Sequence, residues 1–282
     1  MLTATQGNTS YAGGTQVNAG KVALDANTAL GTGAATFAKD TELSLGISKG
    51  ISVANAITTD GIIKQSNDFD SSLTGVISGT GSLVKDGAGL LSLTGANSYA
   101  GGTQVNAGKV ALDANTALGT GAATFAKDTE LSLGISKGIS VANAITTDGI
   151  IKQSNDFDSS LTGVISGTGS LVKDGAGQLN LTGANSYAGG TQVNAGKVAL
   201  DANSALGTGA ATFAKDTELS LGISKGLGIS KGVSVANAIE VNGEVDIHSG
   251  SFDSSLTGVI SGTGSLVKDG AGQLNLTGAN RC

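Results

Sequence analysis

Polar and apolar residues alternate along this chain in short runs. Gln178-Leu179-Asn180-Leu181-Thr182 is one, and its period of two marks a half-buried strand. The segment before it, Lys173-Asp174-Gly175-Ala176-Gly177, reads as a turn. The same grammar predicts strands over 103–106, 109–113, 123–126, 129–133, 139–141, 149–151 and 159–165, short runs of about four to six residues, with Gly, Asn or Asp at every break. Asp113-Ala114-Asn115-Thr116-Ala117-Leu118 fits either one helical turn or a bent loop. No longer helical face occurs, so the chain reads as all-β.

The runs recur. Residues 11–89 and 99–177 are one identical string, 88 residues apart, and a third copy begins at Tyr187 and drifts after residue 203. A closed sandwich or barrel cannot accept another 88 residues, whereas a solenoid can, because each coil buries its face on the coil before it. The strands group into coils of about 20 residues. The expectation is a single solenoid over 1–282, a parallel β-helix of about 13–14 coils. It divides into units of about 1–88, 89–176 and 177–271, with the start of a fourth at 272–282. The third copy is longer by seven residues: GISKG becomes GISKGLGISKG at 222–232, and one residue enters near 250. Both additions fall in turn segments, where strand pattern should survive them.

Composition narrows the classes. Forty-six Gly without a single Pro excludes collagen-like and polyproline structure. Only nine residues are aromatic, so the core must be thin and aliphatic. A net charge of −6 without a basic stripe argues against nucleic acid as a partner. No apolar run approaches the roughly 20 residues of a membrane helix. Residues 1–10 align with 89–98, so the chain is expected to begin inside a repeat. Cys282, the lone cysteine, stands where the repeat would read NSYAGG and has no intrachain partner.

The segment SLVKDGAGQLNLTGANSYAGGTQVNAGKVAL at 170–200 closely resembles the repeat of autotransporter passenger domains, the secreted part of type V secretion proteins of Gram-negative bacteria. That repeat runs G-x-L-x-K-x-G-x-G-x-L-x-L-x-G-x-N-x-Y-x-G-G-T-x-V-x-x-G-x-L. Gly169, Leu171, Lys173, Gly175, Gly177, Leu179, Leu181, Gly183, Asn185, Tyr187, Gly189, Gly190, Thr191, Val193 and Gly196 occupy its places, and Val198 replaces the terminal Leu. The match recurs at 81–110 and partly at 1–22 and 264–280. The resemblance implies a right-handed parallel β-helix, an extracellular or cell-surface location, and an outer-membrane β-barrel translocator in a longer parent protein.

Candidate chemistry is sparse. Glu244, Asp246 and His248 share one face of the run Glu244-Val245-Asp246-Ile247-His248, with Val245 and Ile247 on the other. Two carboxylates beside an imidazole suit metal binding or acid–base work. They replace Ile62, Lys64 and Ser66 of the first copy, and a solvent-facing strand explains them more simply. Asn67-Asp68-Phe69-Asp70-Ser71 starts like a calcium loop but lacks the following Gly and distal Glu. Lys85-Asp86, Lys173-Asp174 and Lys268-Asp269 are expected to align as a weak charge ladder. Gly79-Thr80-Gly81 lacks the Lys-Ser/Thr of a phosphate loop. No catalytic residue and no cofactor is assigned.

The functional expectation is therefore a non-enzymatic, structural and adhesive stretch of a surface-displayed β-helix. Its partners would be a host or bacterial surface ligand, or further copies of itself. The alternatives are a β-helical enzyme acting on polysaccharide, whose site must lie where the copies differ, and an inert truncated fragment. An ice-binding face would need regular Thr-x-Thr files, and the threonines are scattered.

Overall fold

A computed structural model describes residues 2–4, 11–222 and 232–280. It forms two compact units, Met1–Ile135 and Ser136–Cys282. Every described element is a short β-strand, and every pairing is parallel. In the first unit, Leu2, Val22, Leu43, Ile63, Leu83, Thr103 and Ala123 stand in register, 20 or 21 residues apart. That ladder has seven rungs. A second ladder stacks Thr15–Val17, Ala35–Phe37, Ile57–Thr59 and Ile77–Ser78. A third stacks Ser52–Val53, Ser71–Leu73, Leu90–Leu93, Lys109–Leu112 and Glu130–Leu133. The coils thus stack their strands on three ladders, though not every coil supplies a strand to each, as in a parallel β-solenoid.

The second unit repeats the plan. Its longest ladder also has seven rungs: Ser140–Val141, Ser159–Leu161, Gln178–Leu181, Lys197–Leu200, Thr217–Leu221, Glu244–His248 and Ser265–Asp269. In both units the alternation expected from sequence is the burial pattern. Leu91 and Leu93 point inward and are fully buried, while Leu90 and Ser92 face outward. Each fully buried Leu contributes roughly 1.5–3 kcal/mol.

Several local readings change. Asp113–Leu118 is a bent turn, held by Ala117 N–H donating to the Ala114 carbonyl at 3.1 Å and Gly119 N–H to Thr116 at 2.8 Å. The run 159–165 is two strands, Ser159–Leu161 and Ile165–Ser166, broken at Gly163. A Cβ on Gly163 would strike the Asn143 carbonyl of the coil beneath, so only Gly lets the chain bend there. The described strand Leu2–Ala4 is also one place off its alignment with 90–92. Leu2 pairs with Val22, whereas Leu91 pairs with the equivalent Val110, so Leu2 occupies the position of Leu91.

The repeat and the coil are not commensurate. Val22 to Thr103 is 81 residues and four coils, seven short of the 88-residue repeat, so a repeat is four coils and about a third. Identical strings therefore land on different ladders. Lys21–Leu24 lies on the first ladder, but its copy Lys109–Leu112 lies on the third.

Where a coil has no strand, an asparagine side chain replaces it. Asn97 Oδ1 accepts from Ile77 N–H of the coil below at 2.8 Å, and its Nδ2 donates to the Ala117 carbonyl of the coil above at 2.7 Å. Asn185 makes the same two bonds with Ile165 and Ala205. Replacing Asn97 with Leu strands a buried N–H and a buried C=O, at about 1–3 kcal/mol each. The N97L variant should therefore unfold at lower urea concentration than the parent and exchange its Ile77 amide faster. Equal protection of Ile77 in both proteins would refute the rung.

Candidate functional site

The copies differ most along Ile239–His248, which makes this the natural place for a unique site. The six-residue insertion before it lies at 223–231, outside the described residues. Ala211 still pairs with Ile239 and Phe213 with Val241, as Ala35 and Phe37 pair with Ile57 and Thr59. One ladder over, the register moves. Glu42 pairs with Ile62, but its counterpart Glu218 pairs with Asp246 rather than with Glu244, the residue in the place of Ile62. The expectation that strands keep their partners fails there by two residues. A two-residue slip preserves the face of every side chain. Val245 and Ile247 accordingly stay buried, while Glu244 and Asp246 are exposed.

The slip gathers charge. Glu218, Asp246 and Val267 stand in one outward column, and Ser220, His248 and Asp269 in the next. Lys197 Nζ lies 2.5 Å from Glu218 Oε2, and His248 Nδ1 lies 3.5 Å from Asp269 Oδ2. Lys197, Glu218, Asp246, His248, Val267 and Asp269 line an open hollow of about 490 Å³. The Asp269 carboxyl is held below its ordinary range, mainly because it accepts the Gly270 N–H at 2.7 Å, and secondarily by His248. Among the described residues, no group of three or more His, Cys, Asp or Glu is placed to hold a metal ion. Glu244, Asp246 and His248 thus share a face, but only Asp246 and His248 line the hollow. The arrangement is an acidic, solvent-facing patch.

The other candidate carboxylates serve the backbone. Asp68 and Asp70 accept the N–H groups of Ala88 and Leu90 in the next coil, at 2.7 and 2.8 Å, and Asp156 and Asp158 do the same for Ala176 and Gln178. The calcium-loop lookalike is an outer rung between coils. Thr80, in the phosphate-loop lookalike, donates its N–H and its hydroxyl to Asp60.

The expected ladder of Lys85-Asp86 and Lys173-Asp174 does not form. Lys85 and Lys173 are fully buried, while Asp86 and Asp174 face outward and pair with Lys64 and Lys152 of the coil below at 2.8 Å. The two lysines end strands in which Leu83 and Leu171 also point inward, so the period of two carries them into the core. Lys85 Nζ donates to the Gly87 and Ala107 carbonyls, and Lys173 to those of Gly175 and Ala195. Burial lowers both ammonium pKa values, and the surrounding aspartates oppose it. Reading Lys173 as part of a turn concealed this. Lys268 ends the last described coil and is exposed.

The buried positions are a pattern in themselves. Inward Leu, Lys, Leu and Leu are followed by the Asn rung. Then come a buried Tyr99 whose hydroxyl lies 2.6 Å from Thr103 Oγ1, and Gly102 at φ +84°. Tyr187, Thr191 and Gly190 repeat the last three. The model of the passenger-associated-transport-repeat matches residues 2–24, 83–112, 171–200 and 266–281. These four stretches of the chain are similar to that repeat. A similar protein is the adhesin BmaC autotransporter of Brucella suis biovar 1 (strain 1330), 36% identical over 138 residues. The match covers 44% of this chain and 4% of that protein, so the chain corresponds to a small part of the relative's length. No solved structure matches the chain significantly. Most of the quoted repeat residues from Gly169 to Val198 thus point inward, while the positions between them, such as Val172, Asp174 and Asn180, face outward.

The carboxylate rungs carry a pH dependence. Asp60 and Asp148 are held below their ordinary value of 3.8 by the N–H and hydroxyl of Thr80 and Thr168. A depressed folded pKa gives stability that is present above 3.8 and lost as the pH falls through the folded value. The double variant D60N/D148N keeps an acceptor oxygen but no titration. Its urea midpoint should fall less steeply below pH 4 than that of the parent, and superimposable acid limbs would count against the rungs.

Proposed function

We propose that this chain is a stalk segment of a bacterial cell-surface adhesin, a β-solenoid that spaces and displays contact surfaces. The observation that carries the reading is the division of labour within the repeat. Most of its signature residues build the interior, and in the third copy the outward Glu244, Asp246 and His248 stand in the places of Ile62, Lys64 and Ser66 while Val245 and Ile247 stay buried. A relative that is an autotransporter adhesin supports the same reading. On it, the chain lies outside the cell, in a parent protein anchored by an outer-membrane barrel. Its outward columns engage a surface ligand or neighbouring copies, because many modest contacts along a repetitive scaffold add as avidity.

The acidic patch fits this role better than catalysis. His248 has Asp269 beside it but no serine, threonine or cysteine in the hollow, whose lining is Lys197, Glu218, Asp246, His248, Val267 and Asp269. The equivalents of Glu244, Asp246 and His248 elsewhere are Ile62, Lys64 and Ser66, so the fold does not require them.

The test is display of the chain on a surface barrel in a non-adherent bacterium. Adherence to host cells and settling of the culture should both rise above those of the empty barrel. Replacing Asp246 and His248 with Ala should leave stability within about 0.5 kcal/mol and lower adherence if the patch takes part. Unchanged adherence and settling on display would sink the adhesive reading. Polysaccharide cleavage that disappears in Asp246→Ala would establish the enzymatic one.

A further inference from the structure

Asn242-Gly243 is the only Asn-Gly pair in the sequence, and it stands where the first two copies read Asp60-Gly61 and Asp148-Gly149. In those copies the dipeptide is held at both residues. Asp60 Oδ1 accepts the N–H and the hydroxyl of Thr80 at 3.0 and 2.8 Å, and Asp148 Oδ1 does the same for Thr168. The Gly61 N–H donates to Thr59 Oγ1 and the Gly149 N–H to Thr147 Oγ1, each at 3.1 Å.

The third copy loses both restraints. Val241 faces Phe213 as Thr59 faces Phe37, and it has no hydroxyl to offer. Among the described residues no other acceptor takes the Gly243 N–H. Asn242 is exposed, and its Nδ2 turns back to Glu240 Oε1 at 3.2 Å. No bond joins it to Thr263, the counterpart of Thr80. Glycine completes the arrangement: without a Cβ it leaves its own nitrogen open to the preceding side chain, and its backbone turns freely. The asparagines of the inner rungs are the opposite case. Asn97 and Asn185 are buried, with both amide atoms bonded to neighbouring coils.

We propose that Asn242-Gly243 is a site of spontaneous deamidation, by which the finished chain remakes the carboxylate rung that its third copy lacks. The Gly243 nitrogen gives up its proton and attacks Cγ of Asn242. A new N–C bond forms, the C–N bond of the side-chain amide breaks, and the leaving nitrogen takes a proton to depart as ammonia. Water then opens the cyclic imide. Opening at one carbonyl leaves an aspartate at position 242, and opening at the other leaves the isoaspartyl form, whose backbone runs through the side-chain carbon. The aspartate adds one negative charge to a chain of net −6, on the run that carries Glu240, Glu244 and Asp246. It also sets a carboxylate in the place from which Asp60 reaches Thr80, so that the Thr263 N–H and hydroxyl gain an acceptor.

The test incubates the folded full chain at mildly alkaline pH and follows every asparagine by peptide mass spectrometry. The peptide holding Asn242 should gain about 1 Da before any other, as paired Asp and isoaspartyl products. Its rate should rise with pH, because the attacking nitrogen must lose a proton. Val241→Thr restores the hydroxyl and should slow the gain severalfold. In Asp60→Asn the same dipeptide exists with Thr59 in place, so position 60 should convert more slowly than position 242 of the same molecule. This second comparison decides the matter if Val241→Thr does not fold. Asn242→Asp, the direct product, should protect the Thr263 amide from hydrogen exchange. An Asn242 that stays intact, or positions 60 and 242 converting at one rate, would overturn the proposed site. Unchanged exchange at Thr263 would overturn the remade rung.

Discussion

Parallel pairing between coils is the constraint on which everything else rests. Each strand must hand its N–H and C=O groups to neighbours 19 to 22 residues away, or 28 across the longer coil of the third copy, about 4.8 Å above and below. A buried backbone group without a partner costs as much as several favourable contacts return. Wherever the coil turns too sharply for a strand, a side chain therefore takes over. Inside, Asn97 and Asn185 supply both an acceptor and a donor, which few other side chains of that size do. Outside, Asp60, Asp68, Asp70 and their copies supply acceptors and remain solvated. Lys85 and Lys173 are the third device, cations that satisfy carbonyls at a corner where no N–H reaches.

The mismatch between an 88-residue repeat and a coil near 20 residues has a physical consequence. Copies of one string lie more than four coils apart, and a third of a coil of overshoot sets them on different ladders. Lys109–Leu112 rests on Leu90–Leu93, and Lys109 finds Glu130 as Lys21 finds Glu42. Opposite charges meet in adjacent coils because the neighbours are different parts of the repeat. Such exposed pairs add little stability one by one.

Much of this was legible from the chain. Alternation at period two located most strands, and the exact repetition required an extensible fold. Three features were hidden for separate reasons. Lys173 sits at an inward position, but a lysine beside Asp174 and Gly175 has the composition of a turn, and composition overruled periodicity. The Asn rung leaves no periodic trace, since one side chain stands in for a whole strand. The pairing of Glu218 with Asp246 was invisible because a two-residue slip alters no polar or apolar position.

That last point bears on where binding specificity can arise. On a solenoid, an outward surface is composed of residues from consecutive coils, so its chemistry depends on register as much as on sequence. Setting Glu218 beside Asp246 places two carboxylates face to face, with Lys197 on Glu218 as in the other copies, whereas the same ladder in the first copy offers Glu42 an isoleucine. The inward pattern tolerates the change because Val245 and Ile247 fill the core equally well in either register. A slip of this kind remodels a surface patch while the interior that defines the repeat stays intact. It is a route by which near-identical coils acquire one distinct face, and it requires only that the following turn take up the difference, as the longer coil from Leu219 to Ile247 does here.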